Sequence, residues 1–263
     1  MNLFEAIVLG IIQGLTEFLP VSSSGHLELG KYLFGIDHEA NFYFSIAVHG
    51  ATVLSTIIVF GKEIAGLAKG LVSFKLNEET RYLIKLIISM IPIGLTGLFL
   101  YDKVLEMFSG NMISLGINFL VTALFLGLTM IIRPKERPMT YLDSFIVGLA
   151  QVLAVLPGIS RSGATIATGM MIGNRKSDIA KFSFLMVLVP VIGANILEMS
   201  SGDFTREGTS LIVILAGFLT ALIFGYLACK WMISIVKRGS LKWFALYCVL
   251  VGIYSLLLGL HVF

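Results

Sequence analysis

Long apolar runs separated by short polar turns organise the chain. Six of them, at roughly 42–60, 83–101, 112–132, 182–199, 211–230 and 243–262, are long enough, or nearly so, to cross the bilayer. An α-helix rising about 1.5 Å per residue needs about 20 residues for about 30 Å of hydrocarbon. Two further apolar segments are broken in the middle. Residues 3–35 are interrupted by Pro20-Val21-Ser22-Ser23-Ser24-Gly25-His26, and residues 141–173 by Pro157-Gly158-Ile159-Ser160-Arg161-Ser162-Gly163. The flanks of each break are short for a span, and proline, glycine and polar residues fill the gap. That pattern predicts two half-helices joined by a polar turn, a re-entrant hairpin. The predicted fold class is an all-α polytopic membrane protein with six transmembrane helices plus two re-entrant helical hairpins, forming one integral membrane domain over 1–263.

The two broken segments match each other. At an offset of 138 the pairs Gly10/Gly148, Gln13/Gln151, Leu15/Leu153, Ser22/Ser160, Ser24/Ser162, Gly25/Gly163, Gly35/Gly173, Phe44/Phe182 and Ser45/Ser183 are identical. Three of these pairs lie in the polar turns, where apolar composition cannot produce them by chance. An internal duplication is predicted, with repeat 1 at about 1–132 and repeat 2 at about 139–263. Each repeat holds one hairpin, which returns to its own side, and three spans, which change side. The repeats are therefore inverted, the hairpins enter from opposite faces, and their tips can meet near the midplane.

Composition narrows the class further. Of 263 residues 57% are hydrophobic and 13% charged, and the mean hydropathy is +0.93. These values exclude a soluble globular enzyme, a disordered chain and a disulfide scaffold. Cys229 and Cys248 lie inside apolar runs and are read as reduced packing residues. The first twenty residues lack a basic stretch and carry Glu5 and Glu17, so no cleaved signal is expected there. A formal charge of +3 says little about a nucleic-acid partner, and none is expected. Charge placement says more. Lys62, Lys69, Lys75, Arg81, Lys85, Arg133, Lys135, Arg137, Arg175, Lys176, Lys181, Lys230, Lys237, Arg238 and Lys242 fall on one side of the predicted topology. Lys31, Lys103 and Arg206 fall on the other. The basic side is cytoplasmic by the positive-inside rule, which puts both termini and the opening of the first hairpin outside a plasma membrane.

Ionisable groups at membrane depth are costly and mark function. The first hairpin gathers Glu17, Ser22, Ser23, Ser24 and His26; the second brings Ser160, Arg161 and Ser162 to the matching place. Gln13 and Glu17 are spaced i, i+4 on one helix face pointing toward the tip. Serines at the start of the second half-helix cap free N–H groups at an end that favours an anion. Arg161 offers a planar fork suited to phosphate oxygens. Together these describe a buried anion site with a nucleophile, a base and a phosphate clamp. Ser23 and His26, three apart, are expected to face each other, with His26 as general base and Glu17 orienting it; an alternative makes His26 the nucleophile. Ser22, Ser24, Ser160, Ser162 and Gln13 are read as phosphate-binding. His49 is read as packing or pore-adjacent, Asn118 and Asn195 as interhelical hydrogen-bond partners, and Asp37, His38 and Glu39 as a solvated loop.

Gln13 to His26 (QGLTEFLPVSSSGH) and Pro157 to Gly163 (PGISRSG) resemble the two signature motifs of the undecaprenyl pyrophosphate phosphatase family, also called the bacitracin-resistance family. The stretch Ala180-Lys181-Phe182-Ser183-Phe184-Leu185 onward to Pro190 is similar to a third. The resemblance runs over nearly the whole chain. It implies a membrane phosphatase that removes the terminal phosphate of the C55 pyrophosphate lipid, recycles the carrier for cell-wall synthesis and confers bacitracin resistance. It also implies a divalent cation, Mg²⁺ or Ca²⁺, with Glu17 as its ligand, and leaves a homodimer open. Gln13 occupies the first position of the family's E/QxxxE element and Glu17 the second. A second lipid-pyrophosphate phosphatase family pairs a PSGH motif with an SR motif followed six residues later by a nucleophilic histidine; Ser24-Gly25-His26 and Ser160-Arg161 look similar, but position 167 here is Ala. A different class remains open from the residues alone: a transporter of a polyprenyl phosphate or small anion using the inverted repeat.

Overall fold

A computed structural model describes residues 1–36, 42–72, 76–100, 111–132, 136–201, 210–238 and 241–261, without the side chains of 42 and 197–201. Asp37, His38 and Glu39 lie outside the described residues. The described residues form twelve α-helices and no strand. In chain order they are α1 (Leu3–Phe18), α2 (Ser23–Phe34), α3 (Phe42–Val59), α4 (Gly61–Val72), α5 (Glu78–Phe99) and α6 (Met112–Ile131). There follow α7 (Tyr141–Leu153), α8 (Arg161–Met171), α9 (Lys176–Met186), α10 (Leu188–Ser201), α11 (Leu211–Arg238) and α12 (Lys242–Gly259).

Five stretches are long and apolar enough to cross a membrane: α5, α6, Lys176–Ile196 (α9 with most of α10), α11 and α12. A sixth appears if α3 and α4, bent by 77° at their junction, count as one. The runs expected at 83–101, 112–132, 182–199, 211–230 and 243–262 fall on the five, and the run at 42–60 falls on α3, which meets the criterion only together with α4. The short amphipathic α4 is an addition; its Ile64 and Leu67 pack toward the core while Lys62 and Lys69 stay exposed.

Both broken segments are helix pairs, and local chemistry explains where each breaks. The helix α1 opens on a capping box between Asn2 and Glu5 and stops at Leu19, whose backbone is extended (ψ 144°) because Pro20 follows it. The next helix, α2, begins after Ser22, whose side chain caps Gly25 N–H at 3.3 Å. A Thr140–Asp143 capping box opens α7, and α8 starts after Ser160, whose Oγ accepts from Gly163 N–H at 3.0 Å. At the base of this second pair Arg137 bonds Asp143 (Nη2 to Oδ1, 2.8 Å) and the carbonyl of Ile172 (3.1 Å), tying its two ends together.

Packing follows the rule for helices in lipid, where backbones approach closely through small residues and large apolar ones face outward. Along α11, Ile212, Leu215, Leu219, Ile223 and Leu227 are exposed, while Gly217, Ala221, Gly225 and Ala228 are buried on the opposite face. A methyl group at Gly10 of α1 would stand 2.5 Å from the carbonyl oxygen of Gly217, and one at Gly14 2.7 Å from that of Ala221. At the position matching Gly10, Gly148 of α7 meets α5, where a methyl would stand 2.4 Å from Ser89 O. Gly148→Ala is expected to cost about 1–3 kcal/mol by forcing α7 off α5. Gly127→Ala, where nothing lies within 4 Å, serves as the neutral control. Thermal unfolding in detergent compares the two; equal midpoints would refute the close approach.

The two tips meet against the middle of α6. A methyl at Gly25 would strike Phe119 (2.7 Å) and Gly158 Cα (2.9 Å). Asn118, expected to bond another helix, donates instead to Pro157 O in the second turn (2.7 Å), and Thr122 donates to Gly158 O (2.9 Å). Residues 118–122 lie midway along α6, so the broken segments converge at half the depth of that helix.

Candidate active site

Direct hydrogen bonds join the two polar turns. Gly158 N–H donates to Ser22 Oγ (3.1 Å), and Ser162 Oγ donates to Leu19 O (3.1 Å). Ser160 N–H donates to Thr122 Oγ1 (2.8 Å), and Ser160 and Ser162 Oγ lie 3.3 Å apart. These serines therefore hold the turns in register. Ser24 Oγ lies 3.4 Å from Ser22 Oγ and is half-buried.

Glu17, in the last turn of α1, is the centre on which the reactive side chains converge. One carboxylate oxygen accepts from Arg161 Nη2, which reaches it from the first turn of α8. The other accepts from Ser23 Oγ at 2.6 Å and from Gln13 Nε2 at 3.1 Å. The Gln13–Glu17 bond is the i, i+4 pairing expected on one helix face. A second nitrogen of Arg161 points to Ser183 O (3.4 Å), and Ser183 Oγ is 2.6 Å from Thr165 Oγ1. The fork is thus held at both prongs. Only 14% of the Arg161 side chain and 12% of that of Glu17 are exposed, so the pair sits in a low dielectric that strengthens it.

The expected pairing of Ser23 with His26 requires correction. The imidazole of His26 has both nitrogens engaged elsewhere: Nδ1 with Ser22 O at 2.7 Å and Nε2 with the hydroxyl of Tyr247 at 2.8 Å. The reason is geometric. Side chains on a helix lean toward its N-terminus, so His26 falls back on the carbonyl four residues earlier. Ser23, at the first helical position, turns instead to Glu17. The hydrogen-bond partner of the Ser23 hydroxyl is therefore Glu17 and not His26.

Three participants escaped the sequence reading. Tyr247 of α12 carries no motif. Thr122 lies inside an apolar span. The third, His49, is expected to be packing or pore-adjacent; its Nδ1 lies 2.8 Å from Ser45 O. Its place in a span with a Gly50-Ala51-Thr52 sequence was the only available signal. For a metal, the donors at the site are the Glu17 carboxylate and the Gln13 carbonyl oxygen, which is buried and has no hydrogen-bond partner. Among the described residues no group of three or more His, Cys, Asp or Glu side chains could hold an ion.

Known proteins resemble this chain over nearly its full length. The family described as bacitracin resistance protein BacA matches residues 6–254. A protein of Bacteroides fragilis named undecaprenyl-diphosphatase is 47% identical over 263 residues, covering 98% of this chain and 99% of its own. One of Parabacteroides distasonis with the same name is 46% identical over 260 residues, covering 97% and 98%. Another, from Methanosphaera stadtmanae, is 36% identical over 277 residues, covering 98% and 99%. The match extends from α1 through α12 and includes both polar turns, and the chain belongs to the bacitracin resistance protein BacA family.

Proposed function

We propose that this chain is an undecaprenyl-diphosphatase of the plasma membrane: it hydrolyses the terminal phosphate of undecaprenyl diphosphate, returns the carrier lipid to cell-wall synthesis and protects against bacitracin. The observation that carries the reading is the convergence of Ser23 and Arg161 on the two oxygens of Glu17 at the junction of the two hairpins. The printed names of the relatives agree with it.

In the proposed reaction Ser23 Oγ attacks the terminal phosphorus as its proton passes to Glu17. The Oγ–P bond forms, the bridging P–O bond breaks, and undecaprenyl phosphate departs with the electron pair. Water then attacks the phosphoserine. The Oγ–P bond breaks, Ser23 recovers the proton held by Glu17, and phosphate leaves with both protons of the water, one of which it then gives up to solvent. Arg161, exchanging Glu17 for the phosphoryl group, would stabilise charge on its oxygens, aided by the N–H groups at the start of α2 and α8. A divalent cation fits the donors on offer. Mg²⁺ is commonly held by one or two carboxylates together with substrate phosphates, and the unpartnered Gln13 oxygen beside Glu17 adds a hard ligand. Glu17 and Gln13 would hold it, and it would screen the charge of the diphosphate.

The topology belongs to the same proposal. The spans α3, α5, α6, α9 with α10, α11 and α12 cross the membrane, and α1–α2 and α7–α8 re-enter it from opposite faces as halves of an inverted repeat. The matched contacts of Gly10 and Gly148 support this. The basic helix ends face the cytoplasm, with the termini and the opening of the first hairpin outside. Purified protein in detergent is expected to release phosphate from the C55 diphosphate with Mg²⁺ or Ca²⁺ and to lose most of that activity in excess chelator. Lipid translocation in liposomes without phosphate release would overturn the hydrolase in favour of a carrier.

A further inference from the structure

Tyr247 has no part in the reaction proposed above, yet it makes a specific polar contact between α12 and the first hairpin. Its hydroxyl lies 2.8 Å from His26 Nε2, and the two rings are parallel within 6° at 5.5 Å. Phe119 packs edge-to-face with the imidazole at 5.1 Å. The next residue of α12, Cys248, is buried against the same turn, with Sγ 3.8 Å from Pro20 O.

The direction of each hydrogen bond follows from its acceptor. Ser22 O can only accept, so Nδ1 of His26 carries the proton; Nε2 then holds the lone pair, and Tyr247 donates to it. A neutral imidazole held in this way has no nitrogen free for proton abstraction or attack. What it does hold is the turn. Ser22 stands at φ +70°, ψ 99°, a conformation that is strained for a non-glycine residue and persists only where its surroundings impose it. Those surroundings are visible. Ser22 Oγ accepts from Gly25 and Gly158 N–H, and Ser22 O accepts from His26 N–H (3.2 Å) and Nδ1–H. The strained turn is what points Ser23 at Glu17.

We infer that Tyr247 is a positioning residue for hydrolysis: its hydroxyl fixes the imidazole of His26, which fixes the Ser22 turn, which aims Ser23 Oγ at the Glu17 carboxylate. The inference rests on the phosphatase reading and deepens it. An aromatic needed only for packing would serve equally well as phenylalanine, and that difference is measurable.

The test uses the full chain in nanodiscs, with C55 diphosphate as substrate and the variants Tyr247→Phe, His26→Ala and both together. Wild-type activity checks the phosphatase reading separately, since its absence defeats that reading whatever the variants do. Given wild-type turnover, Tyr247→Phe is expected to lower kcat about tenfold, the scale of one well-placed hydrogen bond, with KM unchanged. In the His26→Ala background the same change should alter kcat less than twofold, because the link is already cut. In nitrogen-15 spectra of histidine-labelled protein, the His26 signals, identified by their loss in His26→Ala, should show the Nδ1–H tautomer. Tyr247→Phe should move the Nε2 resonance and leave Nδ1 in place. Wild-type kcat in Tyr247→Phe would overturn the inference, and so would a full loss persisting without His26. An Nε2–H tautomer in the wild-type protein would overturn it even if a variant failed to fold.

Discussion

Ser23→Ala is expected to reduce phosphate release from undecaprenyl diphosphate by about a thousandfold or more while the protein stays folded. The magnitude is that of removing a nucleophile from a site whose other groups remain. Ser23 is singled out by its geometry among the hydroxyls of the two turns. Ser22 is committed to two backbone N–H groups, Ser160 caps α8, and Ser162 donates to Leu19 O. Ser23 Oγ lies 2.6 Å from a carboxylate that can take its proton. Losing it removes one hydrogen bond to Glu17, which keeps those from Arg161 and Gln13, and opens no large cavity, so the unfolding midpoint should change little. Rapid quench followed by mass spectrometry should find phosphate on Ser23 in the wild-type protein. If Ser23→Ala keeps a tenth or more of the wild-type rate, Glu17 is activating water directly and the covalent step is wrong.

Arg161→Ala is the second variant with a large expected effect, and it separates two consequences of one residue. Activity should fall by about 10²–10³-fold, the scale measured when one preorganised donor to a developing oxyanion is removed. Stability should fall as well, by about 3–5 kcal/mol, because Glu17 would be left as a buried charge without its partner. Adding Glu17→Gln removes that charge. The double variant should therefore regain most of the lost stability and none of the activity. Arg161→Lys keeps the charge but not the fork that spans Glu17 and Ser183 O, so it should be stable and slow. Unfolding in detergent and phosphate release, measured on the same preparations, decide the matter. An Arg161→Ala protein as stable as wild type would show that Glu17 is not held in the way described.

The positions of the helices and of their breaks were legible in the chain. Hydropathy reports lipid contact residue by residue, and Pro20, Pro157 and Gly158 act on their immediate neighbours, so a local code suffices for both. Gln13 and Glu17 could be paired for the same reason, because i, i+4 neighbours meet on any α-helix. The concentration of polar residues in two matched turns also marked where to look. The exception was α4: at 12 residues, with two lysines and one glutamate, it has neither the length nor the hydropathy of a span, and its helical form depends on packing Ile64 and Leu67 toward the core.

Choice of partner among the polar groups was a different matter. In the chain, Ser23 and His26 stand three residues apart and look like a pair; in the fold, one turns to Glu17 and the other to Ser22 O and Tyr247. Arg161 and Glu17 are separated by 144 positions, and His26 and Tyr247 by 221. Hydrogen bonds need alignment within a few tenths of an ångström, and that alignment comes from how α1, α8 and α12 pack at the level of the tips. Alone, the amino-acid order determined which segments form apolar helices, where they break and which polar groups each break carries. Only the packed helices decided that Glu17 accepts from both Ser23 and Arg161 and that the Tyr247 ring meets His26, because these contacts depend on how the polar turns and α12 close on one another.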